Sequence, residues 1–167
     1  MINKKVEQAI NEQIKHELYS SYLYLAMANY FESIHLPGFA HWMKVQSEEE
    51  RGHAMKFIEH LNDRGGRVVL QALDQPPADF GEPLKAFEQV QAHEQKVTAL
   101  IHALYDIAVQ ESDKPSQTLL QWFIDEQVEE EKNADLIVNQ LKMIAGHPSG
   151  LLMLDRALAA RGGNEED

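Results

Sequence analysis

The residues of this chain best suited to chemistry are carboxylates placed where a helix bundle should have its core. Four long stretches show helical apolar spacing, and their inward positions are apolar except near the centre. A carboxylate buried without a partner costs several kcal/mol, so several together require a cation. No lysine or arginine occupies these central positions, which makes bound metal the better account. The central inward residues are Glu17, Ser21, Tyr24, Gln46, Glu50, His53, Glu94, Gln127 and Glu130.

The spacing of these residues directs their donor atoms to one point. In Glu50-x-x-His53 and in Gln127-x-x-Glu130, a separation of three residues places both side chains on one face of a helix. The other two helices would close the site with one carboxylate each, Glu17 and Glu94.

The donor types restrict the metal. The chain has no cysteine, which excludes thiolate sites, disulfides and cysteine nucleophiles. Oxygen donors with one imidazole suit Fe, Mn or Zn, and the ligand set does not choose among them. Iron fits best on chemical grounds, because carboxylates can shift between bridging and chelating modes as Fe(II) becomes Fe(III).

A repeated offset relates the two halves of the chain. Residues of matching type recur 77 positions apart, which predicts two helical hairpins packed with approximate twofold symmetry. Two hairpins contributing alike would build a site for two metals. The pairs are Glu17 with Glu94, Glu50 with Gln127, His53 with Glu130, Glu49 with Glu126, and His16 with His93.

The elements that must position these residues are all helical. Periodicity predicts long helices over 4–34, 38–64, 83–112 and 116–145, then a short fifth helix over 149–161 capped by Ser149, and a tail over 162–167. No stretch has the pattern of a strand. The whole chain, 1–167, is predicted to be a single all-α domain.

The connection between the second and third helices is long enough to cross the bundle. From Arg67 to Glu82 it has 16 residues, which at about 3.3 Å each reach roughly 50 Å. A helix of about 28 residues is only about 42 Å long. We expect this crossover to run the length of the bundle and to let the third helix start at the end where the first started.

Composition limits the partners and the location. The formal charge is -12, from 27 acidic and 15 basic residues, which disfavours nucleic acid and anionic membrane surfaces. No apolar stretch approaches the roughly 18 residues needed to span a bilayer, and the N-terminus lacks the apolar segment of a secretion signal. We therefore predict a cytoplasmic protein.

The central residues resemble the ferroxidase pattern of bacterial non-haem ferritins, and the resemblance covers essentially the whole chain. It implies a four-helix bundle with one long crossover that oxidises Fe(II) with O2 or hydrogen peroxide at a di-iron centre. It also implies a homo-oligomeric shell of 24 subunits that stores ferric mineral. The residues that carry the resemblance are Glu17, Tyr24, Glu50-Arg-Gly-His53, Glu94 and Gln127-x-x-Glu130.

The same resemblance implies a role for each site residue. Glu17, Glu50 and His53 would hold the first iron, and Glu50, Glu94 and Glu130 the second, with Glu50 as the bridge and Gln127 close by. A third iron position would use Glu49, Glu126 and Glu129 with Glu130 shared. Tyr24 would hydrogen-bond a ligand carboxylate or donate an electron.

No haem is expected. Arg51 stands where the related haem-binding bacterioferritins carry their haem-ligating methionine. The fourth helix has Gln127-x-x-Glu130 where that branch repeats Glu-x-x-His.

Three alternatives share parts of this pattern. A rubrerythrin-like di-iron peroxidase usually carries a cysteine-ligated iron module, which this chain cannot build. A Dps-like cage holds its iron between subunits, whereas here all four helices of one bundle supply ligands. A metal-free helical scaffold would tolerate apolar residues in place of the buried glutamates. Trp122 and the remaining histidines are interpreted as packing or surface residues.

Overall fold

A computed structural model describes residues 2–162 and consists of five helices joined by short turns and one long crossover. This confirms the prediction of an all-α bundle with a short fifth helix. Within residues 2–162, no helix is both long and apolar enough to pass through a lipid bilayer. Of the predicted tail, only Gly162 falls among the described residues. The helices are α1 (Lys4–Ser33), α2 (Pro37–Asp63), α3 (Pro83–Gln110), α4 (Lys114–Ile144) and α5 (Pro148–Leu158).

The helix starts differ from the prediction where a proline was interpreted as part of a turn. Helix α4 begins at Lys114 because the Asp113 side chain accepts a hydrogen bond from the Ser116 amide and Pro115 lies in the first turn. Proline is tolerated there, since the amides of a first helical turn have no partner within the helix. For the same reason α5 begins at Pro148, without the predicted cap from Ser149.

The crossover runs along α1, but the predicted direction of α3 is wrong. Asn11 binds the backbone of Arg67 and Val69 near the start of α1, and Tyr30 near the end of α1 donates to the carbonyl of Gly81 at 2.7 Å. Because α2 ends where α1 started, a crossover of full length must deliver α3 to the end where α1 stopped. Helix α3 is therefore antiparallel to α1 and parallel to α2.

The core is divided into two apolar clusters with a polar layer between them. Fully buried aromatic residues dominate the cluster near the start of α2, among them Phe31, Phe39 and Phe87. The opposite cluster includes Phe57 and Phe123, whose rings stack at 4.0 Å. Burial of these side chains supplies the main driving force for folding, so the layer between them can be polar.

Helix α5 closes one end of the bundle against the start of α2. Leu36, the residue before α2, provides no side-chain cap, and the buried side chain of Asp155 takes that role by accepting from the amides of Gly38 and Phe39 at 2.8 and 3.0 Å. A side chain at position 38 would collide with α5, since a Cβ atom would lie 1.6 Å from the Asp155 carbonyl oxygen.

Candidate metal centre

The polar layer contains all six residues predicted to surround the two metals. Each is at most 4% exposed, although four of them are glutamates. Helical periodicity explains the arrangement, because steps of three and four residues keep these side chains on the inward face of each long helix. The six residues are Glu17 on α1, Glu50 and His53 on α2, Glu94 on α3, and Gln127 and Glu130 on α4.

Two groups of potential ligands share His53. Glu17, Glu50 and His53 form one group, and His53, Glu126 and Glu130 form the other, with the donor atoms of each group within 4.8 Å of one another. The ring nitrogens of His53 face opposite ways. Nδ1 lies 3.5 Å from Glu50 and 4.0 Å from Glu17, while Nε2 lies 3.8 Å from Glu126.

Glu94 lies in the layer but outside both groups. Its carboxylate accepts a short hydrogen bond from the hydroxyl of Tyr24, which is fully buried. Gln127 donates to the same carboxylate at 3.4 Å and to Thr98 at 3.1 Å. Tyr24 therefore contacts Glu94, one of the carboxylates predicted to bind metal, and the amide of Gln127 is held by Glu94 and Thr98 of α3.

Burial and mutual repulsion govern the charges of the layer. Burial, reinforced by the charge of Glu50, raises the pKa of Glu17 and of Glu130 to about 8 each. Burial also raises the pKa of Glu94 well above its ordinary value. Burial opposes the charged form of Glu50 as well, but hydrogen bonding to His53 outweighs it and lowers the Glu50 pKa.

His53 is the cation of the layer. Burial lowers its pKa, but hydrogen bonding to Glu50 and the charges of Glu50 and Glu17 outweigh burial and raise the pKa to about 10. One imidazolium does not compensate the burial and mutual repulsion of four carboxylates, so the pKa values of Glu17, Glu94 and Glu130 are raised.

The donor atoms fit a divalent cation. Glu17 Oε2 and Gln46 Oε1 are buried and accept no hydrogen bond among the described residues. Buried oxygens normally have a partner, because an unmade hydrogen bond costs about 1–3 kcal/mol. Two oxygens without donors beside an imidazole and further carboxylates form the kind of site that Fe, Mn or Zn occupies.

Comparison with known proteins agrees with this geometry. Residues 7–144 match the family described as the ferritin-like domain. The chain belongs to the ferritin family. The resemblance inferred from Glu17, Glu50-Arg-Gly-His53 and Gln127-x-x-Glu130 is confirmed at the level of the family.

Individual ferritins match over nearly the full length. A bacterial non-haem ferritin of Bacteroides fragilis is 47% identical over 161 residues, which cover 96% of this chain and 100% of the relative. That of Staphylococcus saprophyticus is 36% identical over 167 residues, with 100% of both chains covered. The open pore ferritin of Archaeoglobus fulgidus superimposes with a TM-score of 0.95 at 48% identity, over 97% of this chain and 100% of that one.

The residues predicted for a third iron are only partly gathered in this ferritin chain. Glu126 belongs to the second donor group, and Glu129 is exposed. Glu49 lies outside both donor groups of the described residues, and its Oε2 is bound by Arg161 at 2.5 Å. The Glu49–Arg161 pair was not foreseen.

Sequence reasoning also missed a residue that supports the first group. Gln13 is buried and donates to Glu17 at 2.7 Å, just as Gln46 donates to Glu50 at 3.1 Å. The signal was available, because in both cases a glutamine precedes the glutamate by four residues, one helical turn.

Two aromatic contacts surround this centre. The Trp122 ring meets the His53 ring edge to face at 5.6 Å, with its own side chain 38% exposed. His93 packs against the Tyr24 ring at 5.8 Å, and its Nε2 lies 2.8 Å from the Ser20 hydroxyl, which agrees with the packing role expected of it.

Proposed function

We propose that this chain stores iron, and that it oxidises Fe(II) to Fe(III) in the polar layer before the ferric ion enters a mineral. The observation that carries the proposal is the convergence of buried donors on His53 from two sides, with Glu17 Oε2 left without a hydrogen-bond donor. The ferritin relatives support the same function.

The first donor group supports one iron position, and the second position is the one that the family resemblance implies. The first would use Glu17, Glu50 and His53, and the second would use Glu130 with Glu50 as the shared ligand. Glu94 would complete the second position once a cation draws its carboxylate away from Tyr24 and Gln127.

Each residue has a chemical task in the proposed oxidation. The buried carboxylates favour Fe(III) over Fe(II), since they compensate the higher charge in a medium that screens charge poorly. Two Fe(II) ions would each give one electron to O2 or to hydrogen peroxide. Gln127 carries no charge and so should weaken retention of the product, in which case Gln127→Glu should slow turnover and hold iron more tightly.

We further propose that the chain assembles into a shell, binds a third iron and resides in the cytoplasm. A homo-oligomeric shell would enclose the mineral. The resemblance to bacterial non-haem ferritins implies 24 subunits in this shell. A third iron would bind at Glu126 and Glu130 with Glu49 and Glu129. Residence in the cytoplasm and the absence of haem, argued from Arg51, remain predictions.

The first test is an anaerobic titration of the metal-free protein with Fe(II), followed by exposure to air while absorbance and particle size are recorded. We expect about two irons per chain to oxidise rapidly in a large particle, which then accumulates many more. If no iron binds, the proposal fails.

A double variant separates iron binding from a scaffold role. Glu17→Gln with Glu130→Gln should abolish rapid oxidation and leave the metal-free protein at least as stable, since an amide of the same size replaces two buried carboxyl groups that are costly to ionise. Glu48→Gln, at an exposed position on α2, is the matched control and should oxidise iron normally. Normal oxidation by the double variant would contradict the proposed ligands.

A further inference from the structure

Arg161 lies just beyond α5 and contacts three residues of α2. Its carbonyl oxygen accepts from His41 Nε2 at 2.8 Å, and its guanidinium stacks over the Trp42 ring at 4.3 Å and donates to the Trp42 carbonyl at 3.4 Å. The guanidinium also donates to Glu49 at 2.5 Å. These contacts fix a cation beside the helix that carries Glu50 and His53.

The pair between Arg161 and Glu49 is sheltered from water. The two side chains are 18% and 11% exposed, so their attraction is screened less than that of an ordinary surface pair. A charge-assisted hydrogen bond in this setting holds the carboxylate in one orientation. The orientation is the one that leaves Glu49 outside the His53, Glu126 and Glu130 group.

Glu49 is nevertheless close to that group. It precedes Glu50 directly on α2, and its negative charge contributes to the raised pKa of Glu130. A third metal bound at Glu126 and Glu130 would therefore attract Glu49 in direct competition with the guanidinium of Arg161.

We propose that Arg161 is a positioning residue that holds Glu49 away from the metal centre until a further cation competes for it. The inference rests on the proposed function, since it assumes that the two principal positions bind metal. Because a carboxylate oxygen bound by the guanidinium is not available to a metal, Arg161 lowers the affinity of the third equivalent and leaves the first two unchanged. By linkage, binding of that third cation loosens Arg161 from α2.

Zinc titration tests the inference without any redox step. Calorimetry with Zn(II) on the metal-free full chain should give two tight equivalents and a weaker third. In Arg161→Gln we expect the third to tighten by roughly fivefold, the loss of about 1 kcal/mol of competing attraction, with the first two unchanged. Arg161→Lys retains the charge and should restore most of the weak binding. Arg156→Gln, an exposed arginine of α5, is the matched control.

The emission of Trp42 reports the movement directly. The chain has two tryptophans, so Trp122→Phe makes Trp42 the single emitter. The third Zn(II) equivalent should shift this emission as the guanidinium leaves the ring, and the shift should be absent when Arg161→Gln is added.

The outcomes separate the two proposals. If two equivalents bind tightly but the third has equal affinity in parent and Arg161→Gln, and Trp42 emission does not respond, Arg161 is only a structural tether and the inference is overturned. If the first two equivalents do not bind, the proposed function itself fails. Matching circular dichroism of the variants confirms that the comparison concerns folded protein.

Discussion

At the scale of single residues, protons neutralise part of the negative charge that bound metal was expected to neutralise in this centre. Glu50 has a lowered pKa and stays ionised beside protonated His53, whereas Glu17 and Glu130, whose pKa values are raised to about 8, are mostly neutral at neutral pH. Burial also raises the pKa of Glu94 well above its ordinary value. The metal-free layer is therefore close to electrical neutrality. Four buried glutamates are tolerated without a permanently bound cation for this reason.

Metal binding should release these protons. Glu17 and Glu130 titrate at about 8 and His53 at about 10, so all three are mainly protonated at neutral pH and must lose a proton to become ligands. Glu94 also has a raised pKa, so we expect metal binding to release between about one and four protons per chain, with an affinity that rises as pH increases from about 6 to about 8. Zn(II) calorimetry in two buffers of different ionisation enthalpy measures the release. An affinity that does not change with pH would show that the ligands are already deprotonated.

At the end of the bundle away from α5, Asp113 is a second group whose charge should make stability depend on pH. Asp113 caps α4 and accepts from Arg64 at 2.6 Å, and although burial acts the other way, this hydrogen bond lowers the Asp113 pKa. Because the pKa of Asp113 is lower in the folded than in the unfolded state, its charge stabilises the protein above the unfolded-state pKa. This stabilisation is lost as pH falls through the folded-state pKa. Asp113→Asn should cost about 1–2 kcal/mol at neutral pH, because the hydrogen bond from Arg64 loses its charge, and should cost less at about pH 3.

Urea denaturation of the metal-free protein at both pH values checks this prediction. Asp106→Asn, at an exposed position on α3, is the control and should leave the unfolding free energy nearly unchanged. If Asp113→Asn lowers the unfolding free energy equally at both pH values, the charge of Asp113 does not contribute to stability.

Sequence reasoning located the residues of the centre better than their partners. The six residues of the layer could be predicted because burial of a glutamate leaves a strong signal in an apolar stripe. Ser21 was expected to face inward, but its neighbour Ser20 is the fully buried one, since the stripe does not fix rotation to within one residue. The contact of Arg161 with Glu49 could not be predicted, because Arg161 lies beyond the end of α5, where no helical periodicity places its side chain.

At the scale of elements, α5 depends on a glycine in α2. The Gly38 backbone passes so close to Asp155 that any Cβ collides with its carbonyl oxygen, at 1.6 Å. Gly38→Ala should displace α5 and cost about 2 kcal/mol or more, as overpacking of a rigid contact does. Thermal unfolding and protease cleavage within α5 measure the effect. Gly162→Ala, where a Cβ meets open space, should behave as the parent does.

The helices were predictable to within a few residues, and the topology only in part. Prolines and glycines marked every turn, but a proline in a first turn was interpreted as a break, which placed the start of α4 too late. The crossover spans the bundle, as its length predicted. The predicted direction of α3 was wrong because it did not take into account that α2 ends where α1 started.

At the scale of the whole molecule, two apolar clusters enclose a polar layer in which Glu17 Oε2 and Gln46 Oε1 accept no hydrogen bond among the described residues. We expect backbone amides in the turns around Glu50 and Gln127 to exchange hydrogen faster in metal-free protein than in Zn(II)-loaded protein, since a ligand stabilises the folded form that binds it. Amides beside Phe31 and Phe57 should change much less. Equal protection of the central turns in both forms would show that the layer is rigid without a cation.

The crossover makes the chain equivalent to two hairpins on a tether. Helices α1 and α2 pack with each other, as do α3 and α4, so each hairpin is built from neighbours in sequence. The tether raises the effective concentration of one hairpin around the other, typically on the order of millimolar. A gene split beside the exposed Leu70 should therefore yield two peptides that assemble as a heterodimer, and the cut would weaken their association by dilution without removing any contact between helices.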